Sequence, residues 1–230
     1  MAGEAWRGAI QIAGVRDQDE ARLLVAAGID FIGFPLRLLD GREDLDENLA
    51  RELIGSLPRT VGAVAITYLD HARDVLDLCL AVGTSWVQLH GAIAPSELLR
   101  VRERAPGLGI IKSLIVRADN LPELLDEVAR FSPHVDAFIT DTFDPASGRS
   151  GATGRTHDWA VSRTVVAATH RPVILAGGLE PANVSDAIRQ VRPAAVDVHT
   201  GVENAAGAKD PARVDAFVHC AREAFAALHM

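Results

Sequence analysis

The sequence predicts an α/β fold, a single (β/α)8 TIM barrel that spans residues 1–230 as one domain. Two observations support this prediction. Short runs rich in Val, Ile and Ala alternate eight times with longer stretches of helical periodicity. Each strand–helix pair occupies about 29 residues of the 230-residue chain. That length suits a parallel strand with its right-handed crossover, and eight such crossovers in succession close a barrel.

An open, doubly wound sheet is the alternative α/β architecture. Such a sheet usually has fewer strands, and a nucleotide-binding one carries a glycine-rich turn after its first strand. Here Gly14 stands alone after the first apolar run, with no Gly-x-Gly-x-x-Gly pattern, and no linker divides the chain. We therefore expect the closed barrel.

The predicted strands are apolar runs that are too short for a core helix and lack a helical period. Several are bounded by glycine, proline or aspartate, which interrupt regular structure. In chain order they are Ala9–Ala13, Phe31–Phe34, Val61–Ile66, Trp86–Leu89, Gly109–Ser113, Ala137–Thr140, Val173–Ala176 and Ala195–Val198.

The predicted helices lie between these strands. Several begin at Asp or Pro and several end before Gly or Pro, because Pro has a suitable fixed φ at a helix start and Gly supplies a left-handed cap at its end. In chain order they are Asp17–Ala27, Asp46–Leu57, His71–Val82, Pro95–Ala105, Leu121–Phe131, Asp158–Ala168, Pro181–Val191 and Pro211–Leu228.

Composition and charge exclude several classes of function. A hydrophobic share of 48% allows a substantial core, and a net charge of −8 argues against nucleic acid as a partner. Cys79 and Cys220 lack the spacing of a disulfide framework or a zinc site. Glu4 and the absence of a long apolar run argue against a signal peptide and a membrane span. We expect a cytoplasmic protein with no metal site.

Alternation along the strands predicts which side chains enter the barrel, because successive residues of a strand face opposite ways. Gln11 and Ala13 share the inner face of the first strand, with Gln11 inside the barrel and Ala13 at its mouth. The same alternation predicts that Asp141 and Asp197 face the mouth from strands six and eight, where barrels carry their active sites.

Each candidate also has a structural interpretation. Asp141 would otherwise cap the loop that follows it, since Asp is common in that position. Asp197 lies in an apolar strand, where a buried carboxylate needs a partner or a ligand. His199 and His90 would otherwise be loop histidines with satisfied hydrogen bonds. Lys112, predicted to lie near the end of strand five, would extend its amine to solvent or, less favourably, form a Schiff base.

Two glycine-containing turns predict an anion site. Gly177 and Gly178 follow strand seven, and Thr200 and Gly201 follow strand eight. In TIM barrels these two loops often bind phosphate, because glycines allow close backbone approach and free N–H groups at a helix start favour an anion. The long loop at residues 142–157, which includes Gly154, is predicted to act as a lid or pocket wall.

Motifs along nearly the whole chain carry a family resemblance. They are Gly14, Ala27–Phe34, Val87–Gly91, Asp141, the Gly151, Thr153–Gly154 and Asp158–Trp159 positions, Leu175–Leu179, Pro181, Asn183–Val184, Val196–Val198, Gly201–Glu203 and Lys209–Asp210. In this combination and order they resemble the phosphoribosylanthranilate isomerase family of tryptophan biosynthesis.

The resemblance implies an Amadori rearrangement, in which a phosphorylated aminoaldose becomes a 1-amino-2-ketose. The reaction requires an acid for the ring oxygen and a base for the proton on the second carbon, without a metal or cofactor. It implies Asp141 as the acid and Asp197 as the contact to the substrate amine. The implied partner is a small phosphorylated sugar, with neither nucleic acid nor membrane, and the protein would be a monomer or homodimer. The implied binding residues are Gly177, Gly178, Thr200, Gly201, Gly154, Arg42, His90 and Gln11.

The chain departs from the family pattern in three places. The family's first strand reads Lys-Ile-Cys-Gly and this one reads Gln-Ile-Ala-Gly, so Ala13 takes the position of the cysteine base. The second loop is built differently, and Arg42 or Arg37 would hold the anthranilate carboxylate. At strand eight, His199 and Thr200 replace a pair of small hydroxyl residues.

Three functional hypotheses follow from these departures. In the first, the family reaction persists with Asp197, His199 or a water as surrogate base, at a reduced rate because a general base contributes about 10²–10⁴-fold. In the second, the enzyme is an isomerase or lyase retargeted to another sugar phosphate in a specialised pathway. In the third, the protein binds a phosphosugar without catalysis.

Overall fold

The structure is a computed structural model that describes residues 5–38, 43–144, 149–150 and 156–228. Eight parallel strands follow one another along the chain, each separated from the next by a helix. They are β1 (Ala9–Ala13), β2 (Phe31–Pro35), β3 (Gly62–Thr67), β4 (Trp86–Leu89), β5 (Gly109–Val116), β6 (Ala137–Asp144), β7 (Val173–Leu175) and β8 (Ala195–Val198).

The eight strands close into a barrel. Each strand pairs in parallel with its neighbours in the chain, and β8 pairs with β1 through partners such as Gln11 and Asp197. The pairing of β5 with β6 is likewise parallel, which leaves these eight strands without a free edge. The predicted TIM barrel is therefore confirmed.

The helices that cover the barrel match the predicted positions within a few residues. Several begin at side-chain caps: Asp17, Asp46 and Asp158 each accept a hydrogen bond from a backbone N–H of the first turn, as N-cap residues do. They are α1 (Gln18–Ala26), α2 (Glu47–Ser56), α3 (Ala72–Val82), α4 (Pro95–Arg104), α5 (Leu121–Phe131), α6 (Trp159–Ala168), α7 (Val184–Val191) and α8 (Pro211–Leu228).

Three local predictions were wrong. The helix expected from Pro181 begins at Val184, because the Asn183 side chain instead holds the preceding turn. Strand β5 continues to Val116, so Lys112 lies inside the strand rather than near its end. The Lys112 amine, which was expected to extend to solvent, is instead buried on the outer face of the barrel, with Nζ 5.6 Å from the centre of the Phe131 ring.

Two apolar clusters stabilise the barrel. The larger lies between the strands and the surrounding helices, and the smaller fills the barrel interior. Trp6 belongs to the interior cluster and is fully buried. Its ring stacks on Phe31 at 4.0 Å and meets Trp86 edge-on at 5.3 Å. These aromatic rings fill the end of the barrel at which the strands begin, so a ligand enters from the opposite end. Within the described ranges, no helix is long and apolar enough to cross a membrane.

Candidate active site

Asp141 lies near the carboxyl end of β6 and is held in place by its neighbour. Its Oδ1 accepts a hydrogen bond of 2.7 Å from the Thr142 N–H. The Thr142 hydroxyl lies 2.8 Å from His157 Nδ1, and His157 Nε2 lies 2.6 Å from the Ser162 hydroxyl. This hydrogen-bonded chain ties the end of β6 to helix α6 and fixes the direction of the Asp141 carboxyl.

The environment of Asp141 favours its protonated form. The pKa of Asp141 is raised to about 7, chiefly by burial; the hydrogen bond from the Thr142 N–H lowers it, and the negative charge of Asp197 contributes to raising it. A carboxyl group with this pKa is protonated in about half of the molecules at neutral pH. Asp141 can therefore donate a proton to a bound molecule, which an ordinary surface carboxylate cannot do at that pH.

Asp197 faces the same space from β8, directly beside Gln11 of β1. Burial raises the pKa of Asp197 to about 6, although Gln11, His199 and Lys209 all lower it. Its Oδ1 atom is buried and has no hydrogen-bond partner among the described residues. A buried acceptor without a partner is costly, so this oxygen is well suited to receive a hydrogen bond from a ligand.

Gln11 lies inside the barrel, as predicted, and begins a polar chain across its interior. Gln11 Nε2 donates to Gln88 Oε1 at 3.4 Å, and Gln88 Nε2 donates to the Ser113 hydroxyl at 3.5 Å. The Ser113 hydroxyl lies 3.0 Å from His90 Nδ1, and the His90 ring meets Tyr68 at 4.9 Å. His90 is thus placed on the β4–β5 side of the mouth, across the barrel from β8 and β1.

The two glycine turns meet each other at the barrel mouth. Gly177 and Gly178 have φ angles of 93° and 63°, a region that side chains rarely adopt. A Cβ atom on Gly201 would lie 1.8 Å from the Leu179 carbonyl oxygen, so only glycine permits this approach. A single cavity is lined by both carboxyl groups and both turns, through Asp141, Asp197, Gly177, Gly178, His199, Thr200 and Gly201.

Side chains behind the turns hold them in shape. Asn183 Nδ2 donates to the Gly178 carbonyl at 2.9 Å, and Asn183 Oδ1 accepts from the Glu180 N–H at 2.9 Å. Arg213 donates to the Gly201 carbonyl through two nitrogens, at 3.1 and 2.9 Å. Since both carbonyls are engaged from behind, the turns keep a fixed backbone shape at the cavity.

Ala13 lies at the barrel mouth, buried in the interior cluster, and brings no titratable group. His199 lies close to the adjacent residue, because a Cβ atom on Gly14 would be 2.0 Å from His199 Nε2. Arg37 is turned toward helix α2, where its guanidinium bonds to Glu47 at 2.7 and 3.0 Å. Arg42 and Gly154, two predicted binding residues, lie outside the described residues.

Sequence reasoning missed three charged residues around His199. They are Asp44, Glu203 and Lys209, which lie in the loops after β2 and β8. Glu203 and Lys209 belong to the motifs that carried the family resemblance, but the sequence analysis assigned no role to either residue. The signal available was their spacing from His199, four and ten residues along one loop. Because a loop has no regular repeat, this spacing does not predict that the Glu203 and Lys209 side chains lie near His199.

The carboxyl groups and glycine turns of this cavity can bind an anionic ligand and move protons to and from it. Two carboxyl groups with pKa values of about 7 and 6 face one cavity. The adjoining glycine turns offer backbone approach to an anion. Groups whose pKa values lie near neutrality are suited to act as general acids and bases.

Comparisons with known proteins agree with this geometry. The family model described as N-(5'-phosphoribosyl)anthranilate (PRA) isomerase matches residues 40–220. An N-(5'-phosphoribosyl)anthranilate isomerase from Methanosarcina mazei is 36% identical over 217 residues, covering 94% of this chain and 95% of that protein. The crystal structure of the isomerase from Thermotoga maritima has a TM-score of 0.79 and 29% identity, covering 94% and 98% of the two chains.

A third similar protein was solved with a ligand. It is a phosphoribosylanthranilate isomerase in complex with reduced 1-(o-carboxyphenylamino)-1-deoxyribulose 5-phosphate. Its TM-score is 0.77 at 26% identity, and the match covers 94% of this chain and 98% of that one.

Proposed function

This chain belongs to the phosphoribosylanthranilate isomerase family, and from that premise we propose that it isomerises N-(5'-phosphoribosyl)anthranilate or a closely related phosphorylated aminosugar. It is an isomerase of this type, an aldose–ketose isomerase. The observation that carries the proposal is the shared cavity, in which two carboxyl groups of raised pKa face two glycine turns.

Asp141 acts as the general acid. Its proton passes to the ring oxygen of the sugar, the bond from that oxygen to the first carbon breaks, and the nitrogen lone pair forms the iminium ion. A carboxyl group with a pKa of about 7 carries this proton in about half of the molecules at neutral pH and gives it up readily as the ring opens. Burial is thus the property that equips Asp141 for the role.

Asp197 binds the substrate amine. Its unpartnered Oδ1 accepts the N–H hydrogen bond that no described residue supplies, and its charge stabilises the iminium ion. The phosphate binds at the backbone of Gly178 and Gly201, where the N–H groups of the turns favour an anion. Gly177 and Thr200 complete this end of the cavity.

Ala13 occupies the position of the family's cysteine base, so the proton on the second carbon must pass to another group. Without that thiol the rate on the family substrate is reduced, because a positioned base contributes about 10²–10⁴-fold. Ala13 and the altered second loop also favour a second candidate, an isomerase that acts on a phosphorylated aminosugar with a different aglycone.

Turnover measurements test the proposal. Purified protein should convert N-(5'-phosphoribosyl)anthranilate to the aminoketose, and Asp141→Asn should reduce kcat by at least about 10²-fold. Absence of turnover at high enzyme concentration would refute the family reaction. A screen of other phosphorylated aminosugars would then identify the second candidate, since that candidate requires product formation and not ligand binding alone.

A further inference from the structure

We propose that His199 is the general base of this enzyme and that Glu203, itself held by Lys209, is its positioning residue. The inference rests on the proposed function, because the base matters only if a proton leaves the second carbon of the substrate. The assignment supplies a base in place of the family's cysteine, whose position Ala13 occupies.

Strand register places His199 at the level of Ala13. Strands β1 and β8 are neighbours, and their residues pair Gln11 with Asp197 and then Ile12 with Val198. The next residues are Ala13, the last of β1, and His199, the first after β8, so the two lie at about the same height. Asp197 lies two residues lower, beside Gln11, so His199, directly after β8, is nearer than Asp197 to the position of the missing base along the barrel.

Packing brings the imidazole onto the end of β1. A Cβ atom on Gly14 would lie 2.0 Å from His199 Nε2 and 2.6 Å from two ring carbons. Gly14 also has a φ of 77°, so both its volume and its backbone suit only glycine. The His199 ring therefore occupies the space beside Gly14, the residue that follows Ala13, and His199 also lines the cavity that holds Asp141 and Asp197.

Charged neighbours fix the orientation of the ring. His199 Nε2 lies 3.3 Å from Glu203 Oε1 and 3.8 Å from Asp44 Oδ2. Lys209 Nζ lies 2.8 Å from the same Glu203 oxygen and donates to the His199 carbonyl at 3.2 Å. The Lys209 side chain is fully buried and the Glu203 side chain is 14% exposed, so the amine and carboxylate of this chain are largely shielded from water, whereas the His199 ring is 23% exposed.

This orientation sets the tautomer. An Nε2–H that donates to the Glu203 carboxylate leaves Nδ1 with a lone pair, because neutral imidazole carries one proton. A base oriented by a carboxylate is a recurring catalytic arrangement. The carboxylate also stabilises the imidazolium that forms when Nδ1 takes up a proton.

His199 takes a proton from the substrate and later returns it. In the iminium form of the substrate, the C2–H bond breaks and its proton passes to His199 Nδ1. The electron pair of that bond forms the C1=C2 bond, and the C=N π pair returns to nitrogen. The imidazolium then returns the proton to C1 while the C2 hydroxyl loses its proton to the Asp141 carboxylate, which yields the ketone and restores both residues.

Replacing the base tests this assignment directly. His199→Ala should lower kcat by roughly 10²–10⁴-fold with a small change in KM. In the double variant Ala13→Cys/His199→Ala, the new thiol supplies a base, so kcat should rise at least tenfold above that of His199→Ala. A purely structural role for His199 predicts no such rescue.

The positioning role of Glu203 has its own test. Glu203→Gln should lower kcat about tenfold with KM within a factor of two, and the Ala13→Cys background should abolish that loss because the thiol does not depend on the imidazole. The matched control is the exposed pair His219 and Glu223, four residues apart like His199 and Glu203. Glu223→Gln and His219→Ala should leave kcat unchanged.

The outcomes are distinguishable. A wild-type protein without turnover would overturn the proposed function and this inference together. Turnover in the wild type with His199→Ala within threefold of it would overturn the inference alone. So would a folded His199→Ala protein, judged by an unchanged melting temperature, that Ala13→Cys does not rescue.

Discussion

Asp141→Asn should make the protein less active and more stable at the same time. The pKa of Asp141 is raised from 3.8 to about 7, chiefly by burial. A group with a raised pKa keeps its proton in the folded state, while the unfolded chain has already lost it. Stability therefore falls as the pH rises from about 4 to 7 and stays at the lower value above pH 7.

The size of this effect follows from the shift. A difference of about three pKa units corresponds to about 4 kcal/mol above pH 7. Asn does not titrate, so the variant does not lose this stability at high pH. Its Oδ1 can still accept the hydrogen bond from the Thr142 N–H. An amide N–H left without a partner costs about 1–3 kcal/mol. The net gain for Asp141→Asn is about 1–3 kcal/mol at pH 8.

Denaturant unfolding at pH 5 and pH 8 measures this gain. The difference between variant and wild type should grow between the two pH values, while kcat falls by at least about 10²-fold. The control is Asp186→Asn, a surface position with a side chain that is 61% exposed, where we expect a change within about 0.5 kcal/mol at both pH values. A variant that is less stable at pH 8 than at pH 5, relative to wild type, would refute the argument from burial.

Three further predictions concern the scaffold. Gly201→Ala should raise the Kd for inorganic phosphate at least tenfold in calorimetry, because the added Cβ meets the Leu179 carbonyl at 1.8 Å; an unchanged Kd would remove the turn from the anion site. Trp6→Ala should lower the free energy of unfolding by about 3–5 kcal/mol, since it empties the closed end of the barrel, and a loss below 1 kcal/mol would contradict this packing. Burial lowers the pKa of His157 to about 4, so its contribution to stability is lost as the pH falls from about 6.5 to 4. In His157→Gln, the free energy of unfolding should therefore change less with pH between these values than in the wild type, and an unaltered pH dependence would contradict this.

The sequence by itself determined the fold. Strands and helices alternate eight times, and each segment has the period of its own structure, so the positions of β1 to β8 follow from local pattern. Alternation within single strands also predicted that Gln11 enters the barrel, because the period of a strand is two residues wherever it packs. Segment boundaries were less determined: Asn183 delays helix α7 through a side-chain bond that no hydrophobic period reveals.

Only the tertiary structure decided how the residues at the mouth act on one another. Whether Asp141 keeps its proton depends on burial and on the charge of Asp197, which lies 56 positions away in the chain and reaches the same cavity through barrel closure. Contact between His199 and Gly14, and the support of Glu203 by Lys209, arise in the same way. Periodicity is a property of neighbours in sequence, whereas desolvation and charge interaction depend on distance in space, and that distance exists only after the barrel has closed.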